Sequence, residues 1–228
     1  MAAVAPVARL KKAELIWLSN HKCKHSHSYI EHYGCYLNEM PEGSPLVHRI
    51  GFFDLEFHNL KASVGVLFGY CIKDINNDKI YESWVNSKDY KVGQLPDKRV
   101  IKDCVEDLKK FDLIVTYYGT RCDMPYIRTK AMMNGIEFPE YGVLTHLDLF
   151  FLVRSKFSLH RNSLDVACET LLGESQKTRV TPKHWMKALF GDQESLDYIA
   201  DHCRKDVLMT EKLYKKVLPF RKRLDQSA

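Results

Sequence analysis

Apolar residues occupy both faces of the stretch Val47 to Phe57, a pattern that predicts a buried strand. A second strand is expected over Ala62 to Lys73 and a third over Lys79 to Asn86, joined by the short polar run Asp74 to Asp78 as an antiparallel meander. From Asp97 the period lengthens. Val100, Ile101, Cys104, Val105 and Leu108 mark one face of a helix, followed by an apolar strand at Leu113 to Tyr118. A helix over about Met124 to Asn134 is closed by Gly135, and a short strand-like piece follows at Thr145 to Leu149. The remainder reads as helical. It ends in a long helix from Asp192 to Val217 with the seam Leu196, Ile199, Cys203, Val207, Thr210, Tyr214 and Val217. Three strands, a helix, a strand and further helices predict an α/β domain with a mixed sheet. Periodicity fails between Asn38 and Pro45, which divides a short segment at 1–44 from a main domain at 45–228.

Composition changes this picture in two places. Apolar residues make up 45% of the 228 and charged residues 28%, as in ordinary globular proteins, so global disorder is excluded. No apolar run approaches the roughly 18 to 20 residues of a membrane span, and the opening residues lack a secretory pattern, so a cytoplasmic protein without membrane contact is expected. Five of seven cysteines (Cys71, Cys104, Cys122, Cys168, Cys203) stand singly in apolar segments, as reduced core thiols do. The other two, Cys23 and Cys35, lie within a concentration of histidines. Residues 204–228 carry eight Lys and Arg against three acids, a net of +5 that equals the formal charge of the whole chain. Such a tail is either a footprint for a polyanion or a solvated helix end.

Asp54 and Glu56 are two apart on the first strand, which puts both carboxylates on the face of Ile50 and Phe52. Two acids on an apolar face are costly unless a cation neutralises them, and hard divalent ions with oxygen ligands suit that task; the bland alternative is a strand emerging into solvent. Asp123 follows another apolar strand, and Pro125 behind it fits a first helical turn, which makes Asp123 a natural N-cap as well as a candidate functional group. On the last helix His202 and Asp206 are four apart and share one face, at the flank of the apolar seam.

The set FFDLEF, YYGTRCDMPYI and HCRKDV resembles the three motifs of the DEDD superfamily of 3′→5′ exonucleases, which have a ribonuclease H-like fold. Its Y-x-G-x-x-x-D-x-P-Y stretch and terminal D-V are most similar to stand-alone exonucleases related to the proofreading domain of family B DNA polymerases, over about Val47 to Val217. The resemblance implies a ribonuclease H-like mixed sheet flanked by helices. It implies also that Asp54, Glu56, Asp123 and Asp206 hold two Mg²⁺ or Mn²⁺ ions for hydrolysis of a terminal phosphodiester of nucleic acid, DNA ahead of RNA. The superfamily places a water-orienting tyrosine in Y-x-x-x-D spacing or a histidine in H-x-x-x-x-D spacing. Here His202 stands in the tyrosine's register, with Tyr198 and Asp201 as alternative stand-ins.

Cys23, His25, His27, His32 and Cys35 form C-x-H-x-H-x4-H-x2-C, more than the four ligands of a tetrahedral zinc site. A small segment with few apolar residues would gain much of its order from that ion. A structural Zn²⁺ is expected, with the choice between His25 and His27 open and a His-rich loop as the alternative. Two rival functions stand beside the exonuclease: a nucleic-acid-binding module on the same fold that has lost its chemistry, and an endonuclease of that fold. The intact acidic quartet opposes the first, and the pairing of His202 with Asp206 opposes the second.

Overall fold

The computed structural model describes residues 10–39, 41, 44, 49–140, 143–175 and 178–221. Gly43 and Pro45 of the expected boundary, Val47 of the expected first strand, and Lys222, Arg223 and Asp225 of the basic tail lie outside the described residues. Two short helices, α1 (Lys12–Asn20) and α2 (Tyr33–Glu39), precede the main body. The body continues through β1 (Ile50–His58), β2 (Val66–Asp74), β3 (Ile80–Trp84), α3 (Lys98–Leu108), β4 (Leu113–Thr116) and α4 (Asp123–Met133). It closes with β5 (Thr145–Asp148), α5 (Leu149–Lys156), α6 (Leu164–Leu172), α7 (Pro182–Leu189) and α8 (Gln193–Val217).

The five strands form one sheet in the order β3-β2-β1-β4-β5. β1 pairs antiparallel with β2 and parallel with β4, so the sheet is mixed, and β1 lies at its centre with apolar residues on both faces. Phe53 and Leu55 point into a core shared with α3 and α4, while Ile50 and Phe52 point into a second core shared with α5, α6 and α8. Sheet alternation therefore delivers Asp54 and Glu56 to the α8 side. Among the described residues no helix is long and apolar enough to cross a membrane.

Element boundaries differ from expectation where backbone chemistry intervenes. β2 begins at Val66 rather than Ala62, because Lys61 O accepts the amides of Val64 and Gly65 and closes a turn there. β4 ends at Thr116 rather than Tyr118, since Tyr118 adopts φ 69°, a conformation no strand uses. α4 is closed as expected by Gly135, whose φ of 65° suits a residue without a Cβ. Cys71, Cys104, Cys168 and Cys203 are buried, Cys122 is half-buried, and none of the seven cysteines is in a disulfide.

The N-terminal segment is not poor in core residues. Leu18, Tyr29, Tyr33, Tyr36 and Leu37 form a small buried cluster with Trp17 packed against it. Aromatic area replaces aliphatic area here, which a count of apolar residues understates. Tyr33 shares a cleft with Phe111 and Asp112, and Asp112 in turn binds the Arg49 side chain ahead of β1. The segment thus abuts the starting ends of β1 and β4.

Candidate active site

The opposite ends of the same two strands carry the acids. β1 outruns β4: the last parallel pair is Phe52 with Val115, and the Leu55 amide beyond it has no partner on β4. The Asp123 carboxylate takes that place, with Oδ1 accepting the Leu55 N–H at 3.1 Å. Cys122 occupies the N-cap position and Asp123 is the first helical residue, so the expected capping role is overturned. The carboxylate is spent on β1 instead. A bulge between Glu56 and Phe57 then bends β1 immediately after the second acid, as bulges beside functional sites do.

From the other side α8 presents two groups one turn apart. His202 Nε2 lies 3.7 Å from Asp206 Oδ2 and 3.9 Å from Glu56 Oε1. Its Nδ1 is 2.6 Å from Thr178 Oγ1, so the ring is held at its far edge and its near edge faces the carboxylates. Between them Cys203 is fully buried, with Sγ donating to the Asp54 carbonyl oxygen at 3.6 Å and lying within 4.8 Å of the Asp54 and Glu56 carboxylates.

Burial is the first cause that raises the proton affinity of all four acids. Asp54 and Glu56 stand well above the usual carboxylate range, with the charges of Asp123 and Asp206 on the first and of Asp54 and Asp206 on the second adding to desolvation. Burial lifts Asp123 to about 7 against the pull of its backbone hydrogen bonds, and Asp206 to about 6 against the pull of His202. No lysine or arginine pairs with any of the four among the described residues; His202 is their one basic neighbour. Glu56 and Asp123 are buried and Asp54 and Asp206 half-buried, and such a cluster with no fixed cation among the described residues fits a divalent ion by charge and by ligand type.

The alternatives to His202 are placed elsewhere. Tyr198 donates its hydroxyl to Arg179 O at 3.2 Å and stacks on His184, and Asp201 pairs with Lys205 at 2.6 Å. Sequence reading missed Asp148. Its carboxylate accepts the amides of Tyr118, Thr120 and Phe150 at 2.8, 2.9 and 3.0 Å, which caps α5 and holds the strained Tyr118 turn leading to Asp123. An acid closing a short strand ahead of an apolar helix was the available signal. Thr178 and α7 were missed as well, because the stretch between α6 and α8 carries no family motif.

The basic tail resolves into ion pairs. Arg204 binds Glu82 at 2.8 Å, Lys212 binds Glu174 at 2.8 Å and Lys215 binds Glu211 at 2.7 Å. Four of the six described cations of the tail, Arg204, Lys205, Lys212 and Lys215, are thus paired with the chain's own acids.

In the N-terminal segment Cys23, His25, His32 and Cys35 bring their ligand atoms within 4.8 Å of one another. The Sγ to Nδ1 separations are 3.9 and 3.6 Å from Cys23 to His25 and His32, and 3.4 and 3.7 Å from Cys35 to the same two rings. A zinc tetrahedron built from usual Zn–S and Zn–N bonds has S to N edges of about 3.5 Å. His27 stands outside the quartet, with Nδ1 3.3 Å from His32 Nδ1. Burial and the neighbouring Cys23 raise the Cys35 thiol, the penalty a cation at this point would reverse.

A family-wide profile of the RNase_H superfamily matches residues 51–218. Among sequence relatives, a DNA polymerase of Thermococcus litoralis is 26% identical over 147 residues, covering 54% of this chain and 8% of the polymerase. DNA polymerase 1 of Pyrococcus abyssi is 25% identical over 146 residues, covering 56% of this chain and 18% of the polymerase. The chain thus spans less than a fifth of the length of these relatives. The family B DNA polymerase of Pyrobaculum calidifontis superposes with a TM-score of 0.61 at 21% identity, over 78% of this chain and 26% of that one, a likeness of fold.

Proposed function

The chain belongs to the RNase_H superfamily, and from that premise we propose that it is a divalent-metal-dependent 3′→5′ exonuclease acting on nucleic acid. One observation carries the reading: the charges of Asp123 from α4 and Asp206 from α8 bear on Asp54 and Glu56 of β1, no lysine or arginine pairs with any of the four among the described residues, and His202 Nε2 faces two of them. Kinship with DNA polymerases, whose family B members carry a 3′→5′ proofreading domain, supports both the activity and DNA as substrate.

Asp54, Glu56, Asp123 and Asp206 would hold two Mg²⁺ or Mn²⁺ ions, and those ions supply Lewis-acid activation of a water and of the scissile phosphate. The other steps belong to side chains. His202 Nε2 accepts the proton of the attacking water, and Thr178 Oγ1 fixes the ring through Nδ1 so that Nε2 stays aimed between Glu56 and Asp206. Asp148 positions the loop that carries Asp123.

Cys23, His25, His32 and Cys35 would hold a structural Zn²⁺, hard ligands at one end of the sheet and soft ones at the other. Incubation of 5′-labelled single-stranded DNA and RNA with Mg²⁺, Mn²⁺ or chelator tests the activity. A metal-dependent ladder of shortened products is expected. Internal cuts would favour an endonuclease, and bound but uncut strands a module without chemistry.

A further inference from the structure

Three of the five thiols that stand singly in the chain border the acids. Cys71 lies directly across from Asp54 in the β1–β2 register, Cys122 immediately precedes Asp123, and Cys203 comes from α8 beside His202. Cys71 and Cys203 are fully buried, and their thiols are in hydrogen-bond contact with each other. Outward from this pair, Cys71 Sγ donates to Glu82 Oε2 at 3.6 Å. Inward, Cys203 Sγ lies 3.6 Å from Asp54 O and within 4.8 Å of the Asp54 and Glu56 carboxylates. Among the described residues it is the one sulfur grouped that closely with two acids.

As packing, Cys203 is a small apolar filler. As chemistry it decides which ions suit the acids beside it. Mg²⁺ and Mn²⁺ are served by carboxylate, carbonyl and water oxygens, so the sulfur is no ligand for them. Zn²⁺ accepts thiolate beside carboxylate in a tetrahedron, and Cys203 with Asp54 and Glu56 offers three of the four positions. Burial, the Cys71 contact and the charges of Asp54 and Glu56 all raise the Cys203 thiol, so without a soft ion it stays protonated and adds no charge to the cluster. When the S–metal bond forms, the S–H proton leaves to bulk water. Asp54 and Asp206 are half-buried, which gives an ion a way in from solvent.

We propose that Cys203, Asp54 and Glu56 form a sulfur-containing ion site within the acidic cluster, which takes a thiophilic divalent ion of the Zn²⁺ class and thereby keeps hard ions from the same two carboxylates. The consequence for activity rests on the nuclease reading above: a thiophilic ion is an inhibitor because it occupies acids that the chemistry needs. A tetrahedral ion closed by three protein ligands also lacks the open positions that a pair of hard ions offers to water and phosphate. Cys71 supports the Cys203 sulfur from behind. Cys122 is not a ligand, although the charges of Asp123, Asp54 and Glu56 reach it, because it is not grouped with the two acids.

Competition against Mn²⁺ reads this without any cleavage. The full chain is loaded with Mn²⁺, and free Mn²⁺ is followed by its paramagnetic resonance signal as Cd²⁺, a thiophilic probe, is added. The Cys/His cluster is silent in this readout, because soft ligands do not hold Mn²⁺. Wild type should release Mn²⁺ at a Cd²⁺ concentration roughly tenfold or more below that needed by Cys203→Ser or Cys203→Ala, since loss of a ligand costs at least what loss of its hydrogen-bond support does. The Mn²⁺ affinity of both variants should stay close to wild type, which also shows that they fold. Both should lose part of the Cd²⁺–thiolate absorption in the ultraviolet, and Cys122→Ala should behave as wild type. Release at the same Cd²⁺ concentration in wild type and both Cys203 variants would overturn the proposal, and so would an equal shift in Cys122→Ala. Absorption that depends on Cys203 in a protein that binds no Mn²⁺ and cleaves nothing would refute the nuclease and keep the soft site. Mn²⁺-dependent cleavage with release that ignores Cys203 would do the reverse.

Discussion

The two candidate metal clusters lie towards opposite ends of β1, and they are assembled in opposite ways. The Cys/His cluster is local: all its members fall within residues 23–35, and its segment has a core of a few aromatic rings and two leucines. The acidic cluster is global, with Asp54 and Glu56 from β1, Asp123 from α4 and Asp206 from α8, and two extensive cores hold those elements regardless of what the acids bind. About 20 Å of strand separates the Arg49 and Asp112 end, where the N-terminal segment docks, from Glu56. Metal loss should therefore cost chemistry at one end and order at the other. A local soft site couples its ion to folding, whereas a global hard site is a destabilised place that a stable body can sustain.

The largest effect is expected at the acidic end. Asp54→Ala, Asp123→Ala and Asp206→Ala should each reduce cleavage by roughly 10³-fold or more while strand binding persists, since each removes a ligand and not a grip. Cys23→Ser with Cys35→Ser should leave turnover at saturating substrate near wild type. Equal losses in both sets, measured as single-turnover rates, would break the separation of roles. Next in size, His202→Ala should slow turnover by roughly 10² to 10⁴-fold. His202→Tyr should recover part of it and lose the acidic limb of the pH profile, because a phenol orients water where an imidazole also takes its proton. A tyrosine variant no faster than alanine would assign the proton to another group.

The same contrast governs what could be seen without a structure. Periodicity located β1, α3, α4 and α8 and their buried faces, because burial on one face leaves a pattern in the chain. Asp54, Glu56 and Asp123 are conspicuous as carboxylates in or beside an apolar strand, and Asp206 as an acid four residues from His202 at the flank of a helix seam. The partner of Asp123 was not legible: that its carboxylate meets the Leu55 amide follows from the β1–β4 pairing ending at Phe52 and Val115, three residues before Leu55, a fact of sheet register. Nor could spacing decide between His25 and His27, because both lie in a turn where one residue reverses the side chain's direction. Nor were the partners of the basic tail legible, since Arg204 and Lys212 of α8 pair with Glu82 and Glu174, which are distant in sequence.

At the soft end the expected changes are in metal content and local order. Protein purified without chelator should contain about one zinc per chain by elemental analysis. His25→Ala should lose that ion and His27→Ala should keep it, because of these two rings it is His25 whose Nδ1 approaches both Sγ atoms. Stripping the zinc should raise amide exchange in α1 and α2 while protection in β1 and β4 stays high. Zinc retained in His25→Ala and lost in His27→Ala would exchange the two ligands. Exchange rising equally throughout the sheet would show that the segment is not a separate unit of stability.

The smallest effect should appear as a dependence of stability on pH in metal-free protein. Unfolded carboxyls titrate near ~4, whereas in the fold burial holds Asp206 at about 6, Asp123 at about 7 and Asp54 and Glu56 above their ordinary values. Between those limits the native state binds more protons than the unfolded one, so stability must fall as pH rises from about 4 to about 7. The melting temperature in chelator should drop by a few degrees across that window, and Mn²⁺ added at pH 7 should restore it by binding the ionised form. Asp123→Asn keeps an oxygen for the Leu55 amide and removes one titrating group, so its curve should be flatter. A melting temperature in chelator that is level or rises over this range would show that the acids are already neutralised by a group of the protein itself, and the case for a divalent ion at this end of β1 would fall with it.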